Sequence, residues 1–350
     1  MAHDTFGLIG RIVDGALRID RVAAAGGFSV VYRAFHLGLR EHFAVKCLHV
    51  PAGLSSAGER VVMERFALEG RLQSKLAHRG IARTFGVGST TSPADGRLVP
   101  FVLLEWLEGR SLADEIASRA SKRLQTHSLS EVVELLDGAV DGLAYAHTLG
   151  AAHRDVKPRN LFVLSAPASP SYRTKLIDFG AAKLFDDRAL HAGPAPSSVE
   201  GGTALSLPYA APEQFEKAMG AIGPWTDVYS LALTVLETAA GHRVVQAEHY
   251  VDYGRIALDP VRRPTPRALG ISCNEAVEEV FRKAVAVDPR DRWADAGIFW
   301  GAMKAALRES GVVEVRRPAS TVVAYRLAQE SKTRPGPYGA SSSPRRAAVA

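Results

Sequence analysis

Short segments rich in β-branched and aromatic residues, separated by turn residues, dominate the first third of the chain. This pattern predicts β-strands at 17–22, 30–36, 42–48, 81–87 and 99–105. In the third segment, period-two alternation places Lys46 on the same face as Ala44 and Leu48. The first third therefore predicts a sheet in which Lys46 lies on one face of the third strand.

One helical stretch, near 58–77, interrupts these strands. Val62, Phe66 and Leu76 recur at helical spacing, and Glu69 lies in the same largely apolar stripe. A carboxylate in such a stripe needs a partner for its charge. We therefore expect a cation opposite Glu69.

Helical periodicity dominates beyond residue 128. Ser128 and Glu131 fit a capping box at the start of an apolar stripe that ends at Gly150. Short strands are predicted at 161–164 and 175–177, and further helices at 226–240, 274–287 and 294–309. Strands followed by helices predict an α+β fold with a ligand cleft between two lobes.

The charge of the chain is concentrated in its last 40 residues. The net charge is +6, and residues 311–350 hold seven Lys/Arg and two Glu, a net of +5, which leaves about +1 for residues 1–310. The body therefore lacks the charge asymmetry of a nucleic-acid-binding protein. The Ser-, Pro- and Gly-rich composition of 310–350 predicts a basic, disordered tail.

Two cysteines, Cys47 and Cys273, are too few for a disulfide framework and indicate free thiols in a reducing compartment. The N-terminus lacks a signal-peptide pattern, and no segment has the ~18 uncharged apolar residues of a membrane helix. We expect a cytoplasmic protein without membrane insertion.

The segment His-Arg-Asp-Val-Lys-Pro-Arg-Asn at 153–160 carries the clearest chemistry. Phosphoryl transfer needs a carboxylate that accepts and orients the attacking hydroxyl, together with oxygen ligands for Mg²⁺. Asp155 and Asn160 supply both groups, and Lys157 can reach a transferring phosphoryl group. Eighteen residues later, Asp178 follows a short apolar strand and precedes Phe-Gly, which places a second carboxylate at a strand tip.

These motifs resemble the protein kinase superfamily, specifically the bacterial Ser/Thr kinases that are similar to eukaryotic ones. The resemblance extends from about Leu17 to Leu307. It implies a two-lobed kinase domain at 17–309, after an N-terminal lead-in at 1–16. A small β-rich N-lobe with one main helix would occupy about 17–105, and a larger helical C-lobe about 108–309.

The resemblance also implies the site. It makes Lys46 the phosphate-binding lysine, Glu69 its partner, Glu105-Trp106-Leu107 the hinge and Leu104 the residue guarding the rear pocket. The catalytic residues would be Asp155, Lys157, Asn160 and Lys46. Nucleotide binding would involve Ala24, Gly26, Gly27, Ser29, Val31, Ala44, Lys46, Glu69, Leu104, Glu105, Leu107, Phe162 and Asp178. Asn160 and Asp178 would hold Mg²⁺, with Mn²⁺ as an alternative.

Structural roles also follow from the resemblance. Ala211-Pro212-Glu213 resembles the end of the activation segment, and Glu213 would pair with Arg292. Asp227 would brace the backbone around His153 and Arg154.

The phosphate-covering loop departs from the family pattern G-x-G-x-x-G. Its outer glycines are replaced by Ala24 and Ser29, while Gly26 is kept with Gly27 beside it. A Cβ at each outer position is expected to weaken ATP affinity about tenfold or less if a positive φ is required there.

The activation segment also departs from the pattern, because Tyr209 follows Gly202-Thr203 three residues later than usual. Either Thr203 or Ser206 is expected to bring a hydroxyl near Asp155. Arg154 favours control by phosphorylation at Ser197, Ser198, Thr203 or Ser206.

The leading interpretation is an ATP-dependent kinase that phosphorylates Ser/Thr hydroxyls of proteins, itself included. The alternative is a nucleotide-binding pseudokinase scaffold, which only Ala24 and Ser29 favour. A small-molecule phosphotransferase on a related fold is disfavoured, because Ala211-Pro212-Glu213, Asp227 and Arg292 occur together.

Overall fold

The computed structural model describes residues 3–26, 29–50, 60, 63–64, 66–68, 70, 73–167, 169–179 and 206–309. The first part forms an antiparallel six-stranded sheet in the order β1-β2-β3-β4-β6-β5. Its strands are β1 (Ile12–Val13), β2 (Leu17–Ala25), β3 (Ser29–His36), β4 (Glu41–Leu48), β5 (Thr84–Thr91) and β6 (Leu98–Glu105). In β3, burial alternates with period two, and Val30, Tyr32 and Ala34 point into the core.

The strand predicted at 81–87 begins later, at Thr84. Ile81 forms only an isolated bridge with Leu176. The backbone around Ile81 instead bonds to the helical lobe, because Gly80 O accepts from Leu176 N at 2.7 Å and Ala82 N donates to Leu176 O at 2.8 Å. The strand was predicted to begin too early because an apolar run does not show which segment its backbone will hydrogen-bond with.

The described part of the N-terminal lead-in packs into the small lobe. Phe6, Leu8 and Val13 are buried in the same core cluster as the strands. The Asp4 carboxylate accepts from the backbone N–H groups of residues 8 and 9 and from the Tyr32 hydroxyl at 2.8 Å. The lead-in is therefore part of the sheet's core packing.

The described residues between 60 and 73 are all helical. Phe66 packs with Leu48 and Val102 in a small cluster beneath the sheet. Glu69 lies outside the described residues, and so do Gly27, 180–205 and the tail at 310–350. The cation expected opposite Glu69 stays a prediction.

The second part is mainly helical. Its helices are Leu112–Ser121, Leu129–Thr148, Pro212–Phe215, Pro224–Ala240, Tyr250–Ala257, Glu275–Ala284 and Ala296–Arg308. A small sheet in the order β7-β8-β9 contains β7 (Gly109–Ser111), β8 (Leu161–Leu164) and β9 (Thr174–Leu176). Single 3₁₀ turns lie at Pro158–Asn160, Leu207–Tyr209, Lys217–Met219, Arg267–Leu269 and Pro289–Asp291.

Two helices hold the core of this lobe. Helix Leu129–Thr148 begins with the expected capping box: Glu131 N donates to Ser128 Oγ, and Ser128 N donates to Glu131 Oε2 at 2.8 Å. Gly150 follows its C-terminal end with φ +74°. Helix Pro224–Ala240 is buried along almost its whole length. None of the helices that the structure describes has the length and apolar character needed to cross a membrane.

Candidate active site

A cleft of about 590 Å³ lies between the sheet and the helical lobe. Residues from both lobes line it, including the strand β4, the β6 end and the segments around Asn160 and Asp178. The predicted site residues in its lining are Ala24, Gly26, Ser29, Val31, Ala44, Lys46, Leu104, Glu105, Leu107, Lys157, Asn160, Phe162 and Asp178. Residues almost 160 positions apart in sequence therefore share one cavity.

A buried ion pair joins the two lobes across the cleft. The Nζ atom of Lys46 lies 2.7 Å from Oδ1 of Asp178, and the lysine side chain is only 9% exposed. Burial alone would raise the pKa of Asp178, but the charge and hydrogen bond of Lys46 outweigh it and hold that pKa below its usual value. Asp178 is consequently a carboxylate at neutral pH.

The segment around Asp178 is fixed on three sides. Ile177 N donates to Asn160 O at 2.9 Å, and Ile177 O accepts from His153 Nε2 at 3.0 Å. The ring of Phe179 packs against His153 at 4.7 Å, and the Gln73 side chain donates to the Phe179 carbonyl. These contacts connect the segment to the catalytic loop and to the helix of the small lobe.

Two polar side chains contact Asp155, and a third joins the network through one of them. Lys157 Nζ lies 2.7 Å from Asp155 Oδ2, and Asn160 Nδ2 donates to the same oxygen at 3.0 Å and to Asp155 O at 2.8 Å. Lys157 Nζ also donates to Ser206 Oγ at 2.5 Å. Of the two hydroxyls expected near Asp155, Ser206 therefore lies in this network, while Thr203 lies outside the described residues.

A buried carboxylate holds the backbone at the start of the segment 153–160. Asp227 is fully buried and accepts from the backbone N–H groups of His153 at 2.6 Å and Arg154 at 2.5 Å. It also accepts from His147 Nε2 at 2.9 Å. Asp227 thus bonds to the backbone of His153 and Arg154, the contact that the resemblance implied.

Glu213 and Arg292 form a fully buried bidentate pair, with both N···O distances at 2.9 Å. The guanidinium group also donates to the carbonyls of Ala286 and Val287, and Glu213 accepts from Thr226 Oγ1 at 2.7 Å. The pair fixes the end of the activation segment to the helical lobe, as predicted.

The two outer positions of the glycine-rich segment, Ala24 and Ser29, are not strained as their sequence suggested. Ala24 pairs with Val31 in the sheet, and Gly26 N donates to Ser29 O at 2.9 Å. Neither Ala24 nor Ser29 has a positive φ. The expected loss of ATP affinity depended on a positive φ at these two positions. Since neither has one, a Cβ is tolerated there without strain.

Asn160 and Asp178 together offer hard oxygen donors. The Asn160 amide nitrogen is engaged by Asp155, and no group that the structure describes bonds to its Oδ1. This leaves the amide oxygen and the Asp178 carboxylate as available ligands, and Mg²⁺ and Mn²⁺ prefer such oxygens. The donor set fits the predicted divalent metal.

Several lining residues were not predicted from the sequence, among them Leu176, Ser111 and Arg159. Leu176 is the last residue of β9, where Thr174 and Leu176 are buried on the same face, and this alternation could have found it. Ser111 also lines the cleft and caps helix Leu112–Ser121 by accepting from Asp114 N. The spacing of Ser111 and Asp114, a serine three residues before an acidic residue, is the sequence signal that could have indicated this cap.

This fold and site define a protein kinase domain. The protein kinase domain family matches residues 19–305, and the chain belongs to that family. The two-lobed α+β fold and the family predicted from the motifs are confirmed.

The chain is similar to Ser/Thr-protein kinase PknL of Mycobacterium bovis, with 31% identity over 88% of this chain and 70% of PknL. It is 29% identical to Ser/Thr-protein kinase Pkn1 of Myxococcus xanthus over 89% of this chain but 41% of Pkn1. The crystal structure of the Mycobacterium tuberculosis PknI kinase domain superposes with a TM-score of 0.61. The match covers 85% of this chain and 99% of that kinase-domain chain at 23% identity, and it supports the fold alone.

Proposed function

We propose that the protein is a Ser/Thr protein kinase that transfers the γ-phosphoryl group of ATP to hydroxyls of protein substrates. The observation that supports this most strongly is the Lys46–Asp178 pair, which lies in the same cleft as Lys157 and Asn160. A strand lysine and two candidate metal ligands line this cleft, and the loop carboxylate Asp155 bonds to two of the lining side chains, Lys157 and Asn160. Membership of the kinase family and the named Ser/Thr kinase relatives support the same reaction.

In this proposal, each residue has one task. Lys46 holds nucleotide phosphates by its charge, and its pair with Asp178 keeps the ammonium aimed into the cleft. Asp155 accepts a hydrogen bond from the acceptor hydroxyl, orients its oxygen and takes its proton. Lys157 lies 2.7 Å from Asp155 and stabilises negative charge near that oxygen.

Asn160 and Asp178 would hold Mg²⁺, which when bound neutralises the charge that develops on the phosphates. The neighbouring contacts orient these ligands: Asp155 fixes the Asn160 amide, and Lys46 fixes the Asp178 carboxylate. Orientation before binding matters because a misplaced ligand weakens metal affinity.

The adenine base would enter the apolar part of the cleft. Ala44, Val31, Leu107 and Phe162 line it, with Leu104 at the rear. Glu105 ends β6, and its side chain is held by Lys175 at 2.6 Å. This bridge connects the hinge to the strand that leads to Asp178.

Autophosphorylation of the activation segment remains part of the proposal. Ser197, Ser198 and Thr203 lie outside the described residues, while Ser206 is bonded to Lys157. Phosphopeptide mapping of active enzyme tests the four positions, and full activity with an unmodified segment would remove this part.

The test is phosphate transfer from Mg-ATP to Ser-, Thr- and Tyr-containing peptides by wild type and Asp178→Asn. The variant should lose about a hundredfold or more in kcat, because the amide cannot replace the charged ligand. Asp252→Asn makes the same change beside Arg255 on the surface and serves as control. Nucleotide binding without transfer by wild type would favour the pseudokinase scaffold instead.

A further inference from the structure

The charged side chains that line the cleft are almost all engaged. Lys46 pairs with Asp178, Lys157 with Asp155, Glu105 with Lys175 and Arg110 with Glu115. The mouth of the cleft is engaged as well. Glu108 accepts from the Trp106 indole, Asp114 accepts from the Ser111 hydroxyl, and Arg21 stacks on the Trp106 ring.

Arg159 is the exception. It lines the cleft, it is exposed, and no carboxylate, carbonyl or ring among the described residues contacts its guanidinium group. An arginine with five fixed donors and a permanent charge that faces a binding cleft without a partner is suited to an anionic ligand.

The position of Arg159 is fixed by its neighbours. It lies in the middle of the 3₁₀ turn Pro158–Asn160, where Asn160 is buried and bonds back to Asp155. Lys157, on the other side of the turn, contacts the same carboxylate. Arg159 is therefore exposed on a rigid turn beside the residue proposed to orient the acceptor hydroxyl.

A peptide whose hydroxyl reaches Asp155 would have its neighbouring residues near this turn, because Asn160 in the turn bonds directly to Asp155. In an extended peptide each residue advances by about 3.3 Å, so residues within three positions of the acceptor lie within about 10 Å of it. Their side chains come within reach of Arg159. Lys46, the residue proposed to bind the nucleotide phosphates, is by contrast only 9% exposed.

We propose that Arg159 is a specificity-determining residue that selects acceptor sites with an acidic residue within three positions of the phosphorylated Ser or Thr. This selectivity rests on the proposed kinase function, and it specifies the class of acceptor peptides that the kinase would prefer. A carboxylate side chain can accept two parallel hydrogen bonds from the guanidinium group. A lysine or a neutral side chain in the peptide cannot form this charged, two-bond contact.

The experiment uses the full chain with Mg-ATP and a set of Ser peptides. Each peptide carries Glu, Gln or Lys at one position from −4 to +4, and kcat/KM is measured for every member. For wild type, kcat/KM should be about fivefold higher with Glu than with Gln at one or more of the six positions nearest the acceptor. This ratio corresponds to the free energy of a well-placed exposed ion pair. Arg159→Gln should bring this ratio close to one, and Arg159→Glu should reverse it in favour of Lys.

The matched control is Arg11→Glu, an identical charge change at an exposed position outside the cleft lining. It should keep the wild-type Glu/Gln ratio. The inference is overturned if the ratio is unchanged in Arg159→Gln, or if the variants change KM for ATP and leave the ratio as it was. Absence of transfer to every peptide would instead contradict the proposed function, so the two failures are distinguishable.

Discussion

The strongest structural prediction concerns Asp227, because one buried carboxylate serves three donors. Its Oδ2 accepts from His153 N and His147 Nε2, and its Oδ1 accepts from Arg154 N. The change Asp227→Asn keeps the shape but replaces one oxygen by an NH₂ group. One orientation of the amide leaves Arg154 N facing a donor, and the other leaves both His153 N and His147 Nε2 facing one.

His147 cannot relieve the conflict by moving its proton. Its Nδ1 accepts from Ala296 N at 3.2 Å, so the ring must carry the proton on Nε2. A shift of the proton to Nδ1 would create a second clash between donors. The less costly orientation therefore leaves Arg154 N unsatisfied.

The magnitude follows from these bonds. One unsatisfied buried donor costs about 1–3 kcal/mol, and the two remaining bonds lose their charge assistance at about 1 kcal/mol each. Relief from burying a charge offsets part of this, so we expect a loss of roughly 2–4 kcal/mol. For the domain at 19–305, an unfolding entropy of about 2.1 cal/mol/K per residue converts this to a fall in Tm of about 5 °C.

Activity should fall more steeply than stability. The displaced backbone precedes Asp155 directly, and a shift of about 1 Å at a reacting group costs about a hundredfold in rate. We expect kcat to fall by that order with a smaller change in KM for ATP, because the Lys46–Asp178 pair is untouched. Thermal unfolding and peptide phosphorylation measure the two effects, with Asp20→Asn on the surface as control. A variant with wild-type kcat and Tm would refute the reasoning.

Two further predictions concern buried chemistry. Arg292→Met should lower the free energy of unfolding by about 3–5 kcal/mol in denaturant titrations, because Glu213 is left charged and unpaired; adding Glu213→Leu should recover part of the loss, and no recovery would contradict the account. Burial, aided by Asp4, raises the pKa of Cys47 to about 12, and burial with Glu278 raises that of Cys273 to about 11. At pH 8 both should react with iodoacetamide far more slowly in the native than in the urea-unfolded protein, and equal rates by mass spectrometry would oppose this.

The residues that carry chemistry could be found in the sequence because their spacing is local. Asp155, Lys157 and Asn160 lie within one six-residue segment, and Asp178 lies two residues after the end of β9. Lys46 was harder, since only its order relative to the other motifs distinguished it from a surface lysine. The pattern offered two hydroxyls near Asp155; the structure bonds Ser206 to Lys157, while Thr203 lies outside the described residues.

Other elements were invisible for physical reasons. Helix Leu112–Ser121 buries only Leu112 and Ile116, so its apolar stripe is too short to recognise. Helix Tyr250–Ala257 spans eight residues and buries three. The packing of the lead-in depends on Tyr32, 28 residues from Asp4, and no local periodicity reports so distant a contact.

Backbone strain lies at other positions than the sequence suggested. The sequence directed attention to Ala24 and Ser29, where strain was expected and is absent. Positive φ instead occurs at Arg154 and Asp178, at +67° and +63°, on either side of the cleft chemistry. Such conformations cost about 1–3 kcal/mol each and persist where surrounding bonds impose them. The neighbouring backbone is held by the residues of the site: Arg154 N donates to Asp227, and Ile177 N, next to Asp178, donates to Asn160 O. The bonds that hold these two conformations therefore also orient the groups proposed to act on ATP and its acceptor.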